Sequence, residues 1–190
     1  MLYREQPQGL RRGIDQEADA SIAGSGDVDL NERAVQLLRP SPSDRVLEVG
    51  FGEGRAVARL ADLVDKGCVC GIDVSGSMLN KAVRRNRGAV SAGRVLLRKG
   101  DCASIPFANA NFDGALAVHT LQFWRDPVAC LSEIRRTLRP RARLVLGFLR
   151  DWFYSEQSVR TMLEICDFGS IQFSQIGEEA LVLATATDRY

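Results

Sequence analysis

The sequence predicts an α/β fold: a doubly wound, mostly parallel seven-stranded sheet with helices on both faces and a C-terminal antiparallel hairpin. Three observations carry this expectation. Short apolar runs alternate with helix-period stretches from residue 45 to residue 167, the pattern of βα units joined by right-handed crossovers. Several of those runs are almost unbroken in apolar residues, as strands covered on both faces require. The last two segments, Ser170 to Ile176 and Ala180 to Thr187, alternate in polarity around Gly177-Glu178-Glu179, which reads as a hairpin.

Each element has its own local reason. Leu30, Ala34, Val35, Leu37 and Leu38 recur at helical spacing until Pro40 and Pro42 stop the pattern. Arg45 to Val49 is the first strand, followed by Gly50-Phe51-Gly52-Glu53-Gly54 and a helix carrying Ala56, Val57, Leu60 and Ala61. Cys68 to Ile72 is the second strand, ending in Asp73, after which Ser75 can cap a helix bearing Met78, Leu79 and Ala82. Arg94 to Leu97 and Phe112 to Val118 supply two further strands. Asp126 and Pro127 open a helix with Leu131, Ile134 and Leu138 on its buried stripe, and Leu144 to Phe148 forms the fifth strand. A helix containing Val159, Met162, Leu163 and Ile165 precedes the hairpin.

Composition bounds the rest. A chain of 190 residues, 45% apolar and 26% charged, fits one globular domain, read here as residues 27–190 behind a flexible segment or lid at residues 1–26. Lys and Arg number 25 against 24 Asp and Glu, so no global field draws the chain to nucleic acid or an anionic membrane. The basic stretch Lys81 to Arg87 lacks interleaved aromatics and reads as a solvated helix face. No apolar run approaches the roughly 18 to 20 residues that span a bilayer, and the N-terminus lacks the apolar core of a signal peptide. The expected setting is the cytoplasm. Cys68, Cys70, Cys102, Cys130 and Cys166 form no CxxC pair, so they are expected to be buried thiols in a reducing compartment, with no metal role.

Ligands of open α/β sheets sit at the carboxyl ends of strands where the strand order reverses, and those ends carry Glu48, Asp73, Asp101 and His119. The glycine loop is GxGxG: the sixth position is Arg55, which fails the dinucleotide fingerprint, and no Gly-Lys-Ser/Thr follows, which excludes a P-loop. Glu48 beside the loop would repel a pyrophosphate and suits a ligand with cationic or hydrogen-donating groups. Asp73, at the second strand end, stands where a carboxylate can accept both hydroxyls of a ribose. That position favours a nucleoside.

The motifs Val46-Leu47-Glu48-Val49-Gly50-Phe51-Gly52-Glu53-Gly54, Gly71-Ile72-Asp73-Val74-Ser75 with Met78-Leu79, and Gly100-Asp101-Cys102-Ala103-Ser104-Ile105-Pro106-Phe107 stand in order. Phe112-Asp113 through His119 and Leu121, then Leu138-Arg139-Pro140, complete the series. Over about residues 30 to 150 the sequence resembles the class I S-adenosylmethionine-dependent methyltransferases, in the small-molecule group similar to quinone-biosynthesis methyltransferases. The resemblance implies S-adenosyl-L-methionine as cofactor. It implies that Gly50, Phe51, Gly52 and Gly54 approach the methionine portion, that Glu48 orients its ammonium, and that Asp73 binds the ribose. Val74 and Met78 would flank the adenine, Asp101 and the Cys102 backbone N–H would meet its edge, and Val118 with His119 would face the sulfonium side. The chain departs from the usual Pro-Gly-Gly turn at Pro140-Arg141-Ala142, which bears on the local backbone rather than on the cofactor loops.

Methyl transfer from a sulfonium needs alignment above all, because the cofactor is already activated. If the acceptor is a phenol, enol or amine, His119, the one histidine of the chain, is the candidate catalytic base; its alternative role is to close the strand by bonding the backbone. Phe51, Trp124, Trp152, Phe153 and Tyr154 are candidates for the wall of an acceptor pocket. The connection after Phe148 is only about eight residues, too short for the acceptor lid common in such enzymes. Residues 1–26, a second copy of the chain in a homodimer, or an unenclosed bulky acceptor would account for that. The expected partner is a small, apolar or aromatic acceptor methylated on O, N or C. The alternatives are a methyltransferase acting on protein or RNA, and a non-catalytic cofactor-binding regulator.

Overall fold

The computed structural model describes residues 29–149 and 154–188. The chain runs α1 (Leu30–Leu38), β1 (Arg45–Val49), α2 (Arg55–Leu63), β2 (Cys68–Asp73), α3 (Gly76–Arg85), α4 (Arg87–Ser91) and β3 (Val95–Lys99). It continues through β4 (Phe112–Val118), a 3-10 turn (Leu121–Phe123), α5 (Pro127–Thr137), β5 (Leu138–Leu149), α6 (Glu156–Ile165), β6 (Phe168–Ile176) and β7 (Glu179–Ala186). The strands form one seven-stranded sheet in the order β3-β2-β1-β4-β5-β7-β6. β1 through β5 pair in parallel, and β7 pairs antiparallel with both β5 and β6. The doubly wound sheet and its closing hairpin are therefore as the sequence reads, and the strand order reverses between β1 and β4.

Two apolar clusters cover the two faces. On one, Val46, Val69 and Val145 meet α1 and α2 through Ala34, Val35, Leu38, Val57 and Leu60. On the other, Leu47, Cys70, Leu144 and Leu146 meet α5 and α6 through Leu131, Ile134, Val159 and Leu163. All of these side chains are nearly solvent-free, which is why the central strands read as continuous apolar runs. Capping fixes where the helices start: Ser75 accepts from Met78 N at the head of α3, Asp126 from Ala129 N at α5, and Ser155 from Ser158 N at α6. No helix among the described residues is long and apolar enough to cross a membrane.

Two expectations need correction. Cys102 and Cys130 form a disulfide joining the loop after β3 to α5, while Cys68, Cys70 and Cys166 are free. The 28-residue separation gives no spacing signal; the pairing arises because the fold lays that loop against the first turn of α5. Cysteine usage therefore does not argue for a reducing compartment. β5 also begins earlier than the apolar pattern suggests, because Leu138 already pairs with Phe112 before an irregularity around residues 139–142. The proposed lid at residues 1–26, Trp152 and Phe153 lie outside the described residues.

Arg141 in that irregularity sits at φ 63°, in the left-handed region that the glycine of a Pro-Gly-Gly turn would enter freely. Its guanidinium pairs with Asp188 at 3.1 Å, but both side chains are largely exposed, so the pair contributes little. Arg141→Gly is expected to stabilise the domain by about 0.5–1 kcal/mol, the relief of left-handed strain less the added chain entropy of glycine. Urea unfolding checks this; a loss of stability would contradict it.

Candidate functional site

The reversal between β1 and β4 opens a crevice at the carboxyl ends of the strands. The loop after β1 turns through three left-handed glycines, Gly50 (φ 74°), Gly52 (φ 51°) and Gly54 (φ 76°). Two of them are also held by close approach. A Cβ at Gly50 would lie 2.1 Å from Thr120 Cγ2, across the switch point, and one at Gly54 would lie 2.8 Å from Ala82 Cβ on α3. Gly52 differs, since a Cβ there would meet nothing within 4 Å. Its Cβ position borders open space beside the strand ends.

The loop is tied down from several directions. Gly50 N donates to Ile72 O at 2.7 Å. Asp73, nearly buried at the end of β2, accepts from Gly52 N through Oδ2 and from Ser75 N through Oδ1, both at 2.8 Å. A carboxylate has about four acceptor directions, so hydrogen-bonding capacity remains after these two bonds. Asn86 Nδ2 donates to Gly54 O at 3.1 Å, and Arg85 Nε donates to Glu53 O at 3.0 Å. Lys81 lies 3.2 Å from the Glu53 carboxylate and holds its carboxyl below the usual range. The basic helix face is solvated as expected, yet it also anchors the glycine loop. Glu53 and Asn86 were not legible as anchors because their partners lie about thirty residues away in the chain.

Among the described residues, three buried side-chain oxygens have no hydrogen-bond partner: Glu48 Oε2, Thr120 Oγ1 and Gln122 Oε1. Glu48 lies near the end of β1; Thr120 and Gln122 follow β4. Buried polar atoms without partners are costly and rare in folded proteins; one of these lies on β1 and two on the segment that follows β4, the strands that bound the switch point. Burial, with Asp73 as a nearby like charge, pushes the Glu48 carboxyl up to about 8. Glu48 is therefore predominantly neutral at pH 7 until a cationic group joins it. The first turn of α2, next to the loop, has no side-chain cap, which leaves helix N–H groups for an anionic group.

The other expected residues divide by where the structure puts their side chains. Val74 is exposed and Met78 half-buried at the start of α3, flanking the end of β2. Asp101 is exposed at the head of the loop after β3, its Oδ1 accepting from Ala103 N at 2.9 Å, and Cys102 beside it is held by the disulfide. Phe51 points into the core beneath the loop, where it would contact a Cβ at Gly71, so its route to a ligand is through its backbone. Val118 is 9% exposed at the end of β4. Trp124 is also a core residue, and Tyr154 is half-buried against the same cluster. Trp124 goes inward because side chains three apart eclipse on a 3-10 turn, placing it with buried Leu121. Phe123, which the sequence reading passed over, is left 73% exposed.

His119 follows β4 at φ 55°. Its N–H donates to Gly147 O at 2.8 Å, its carbonyl accepts from Gln122 Nε2 at 2.9 Å, and its Nε2 lies 3.1 Å from Glu179 Oε1. The backbone-closing role and an available imidazole therefore coexist at one residue.

Comparison with known proteins agrees with this geometry. An O-methyltransferase of Pyrenophora dematioidea is 38% identical over 115 residues, 60% of this chain and 43% of that protein. A 2-phytyl-1,4-naphtoquinone methyltransferase of Synechococcus elongatus is 34% identical over 114 residues, 60% of this chain and 49% of that protein. The chain thus spans less than half the length of these curated relatives. A SAM-dependent methyltransferase from Aquifex aeolicus superposes with a TM-score of 0.73 at 25% identity, over 83% of this chain and 89% of that one. Residues 47–146, which run from β1 into β5 and carry the glycine loop, Asp73 and the switch point, match the family described as methyltransferase domain, and the chain belongs to that family.

Proposed function

We propose that this domain binds S-adenosyl-L-methionine at the β1/β4 switch point and transfers its methyl group to an oxygen of a small, apolar or aromatic acceptor. The observation that carries the proposal is the pairing of an open cradle over Gly52 with a buried, partnerless Glu48 oxygen near the same strand end. The donor set suits this cofactor: a carboxylate with spare capacity for ribose hydroxyls at Asp73, a buried carboxyl for an ammonium at Glu48, and an uncapped α2 terminus for a carboxylate. The O-methyltransferase names of several relatives support an oxygen acceptor.

When bound, the sulfonium supplies an activated methyl group whose leaving group is a neutral thioether. The chain's own residues contribute position and environment. Asp73 holds the glycine loop in its ligand-ready turn, and Gly52 keeps the space above it clear. Val74 and Met78 offer apolar flanks for a ring, and Phe123 offers an aromatic rim on the acceptor side. His119 stands at the end of β4 as the candidate base.

Isothermal calorimetry with S-adenosylhomocysteine tests the site. The wild type is expected to bind; Gly52→Ala places a methyl in the cradle and is expected to weaken binding at least tenfold, while left-handed alanine costs only about 1–2 kcal/mol of stability. No binding by the wild type, or undiminished binding by a folded Gly52→Ala, would contradict the proposal.

Glu48 sets a pH dependence. Its pKa of about 8 means that the free protein carries a proton there at pH 6 to 8, whereas a bound ammonium favours the carboxylate and expels that proton. Affinity for S-adenosylhomocysteine is therefore expected to rise from pH 6 to 8, with proton release seen as a buffer-dependent binding enthalpy. Glu48→Gln is expected to flatten that rise. Proton uptake, or an unchanged slope in Glu48→Gln, would contradict it.

A further inference from the structure

The acceptor side of the crevice carries two groups that the chain separates widely and the sheet brings together. His119 is the single histidine. Its N–H donation to Gly147 O continues the β4–β5 ladder one residue beyond β4, which fixes its backbone although φ is 55°, a region histidine enters more readily than most residues. Glu179 opens β7. It pairs with Ile176 across the two-residue turn Gly177-Glu178, whose first residue is a glycine at φ 58°, and it lies opposite Leu149 at the end of β5. Because β5 runs parallel to β4 and β7 antiparallel to both, the start of β7 lies at the carboxyl end of β4. The hairpin thus delivers a carboxylate to the crevice.

The two side chains meet at 3.1 Å, Nε2 to Oε1, and are 40% and 28% exposed. They are neither a core ion pair nor a freely solvated one. A carboxylate can only accept, so in the neutral imidazole Nε2 carries the hydrogen and Nδ1 carries the lone pair. Among the described residues no hydrogen bond occupies Nδ1.

We propose that Glu179 is a positioning residue for methyl transfer: by accepting from Nε2–H it holds His119 in the tautomer whose Nδ1 takes the proton of an acceptor hydroxyl. The proposal rests on the reading of this site as an oxygen-directed methyltransferase. In the step, the acceptor O–H bond breaks, its proton bonds to Nδ1, and the electron pair stays on oxygen as the nucleophile; Glu179 then faces the imidazolium so formed. The acceptor class that needs this arrangement is a phenol or enol, weakly acidic and not already ionised. A mere clasp between β4 and β7 would fix the same tautomer but would leave the rate indifferent to the acidity of the acceptor.

A single histidine makes the test direct. Nitrogen-15 correlation spectra of the neutral wild-type imidazole are expected to show Nε2 protonated and Nδ1 bare. Glu179→Ala is expected to give a mixture of tautomers with the β-sheet amide spectrum retained, and Glu179→Asp to restore part of the bias. A wild-type imidazole protonated at Nδ1, or an unchanged pattern in Glu179→Ala, would overturn the proposal. With S-adenosylmethionine and a series of phenols from 4-nitrophenol to phenol, the kcat loss in Glu179→Ala is expected to grow from about nothing for the most acidic to about tenfold for the least acidic, with KM for the cofactor unchanged. Equal losses across the series would overturn it. Failure of the wild type to bind S-adenosylhomocysteine would sink the reading of the site and leave the tautomer result standing. An unbiased tautomer in a protein that does bind it sinks the positioning role alone.

Discussion

The site depends on the carboxylate of Asp73 accepting two backbone N–H groups, one from Gly52 and one from Ser75. These bonds join the turn after β1 to the turn after β2, so the glycine loop and the start of α3 are set by the same side chain. Around them, Gly50 hangs from Ile72, Gly54 from Asn86, and Glu53 from Arg85 and Lys81. A loop held this way has little conformational freedom left to lose when a ligand arrives, and preorganisation of that kind lowers the cost of binding. The three glycines follow from the same constraint. Gly50 and Gly54 have no room for a side chain, whereas Gly52 has room that a side chain would take from the ligand.

Two neighbouring carboxyls receive opposite treatment within this small space. Asp73 is surrounded by donors, while Glu48 is buried with one oxygen unpartnered and is pushed up to about 8. Environment rather than residue type separates the two: one carboxylate ties down the loop through two backbone N–H groups, and the other is buried with an oxygen unpartnered. The partnerless oxygens of Thr120 and Gln122 lie on the segment that follows β4, so unmet polar capacity flanks the switch point on both sides. The antiparallel hairpin then adds Glu179 from the far edge, making a carboxylate–imidazole pair from strands that are not neighbours in the chain.

What was legible in the sequence follows from what is local. Strand runs, the glycine loop, the Ser75 and Asp126 caps, and the Glu48 and Asp73 positions all depend on residues within a few places of one another. Arg141 belongs to the same class, because its departure from Pro-Gly-Gly flagged a backbone that does adopt positive φ. The Cys102–Cys130 bond, the anchors Glu53 and Asn86, and the His119–Glu179 pair depend on tertiary proximity and leave no spacing signal. The burial of Trp124 beside an exposed Phe123 has a different cause. A 3-10 turn changes the period from 3.6 to 3, so a one-residue difference decides which aromatic is buried and which is exposed.

The claim on which the account stands is that the ligand occupies the space over Gly52 between Glu48 and Asp73. A crystal structure with S-adenosylhomocysteine tests it most directly. The account predicts ribose hydroxyls on the Asp73 carboxylate, the amino-acid portion over Gly52, and a partner for Glu48 Oε2, direct or through one water. Ligand density away from the β1/β4 switch point, or Glu48 Oε2 still without a partner in a fully occupied complex, would contradict it.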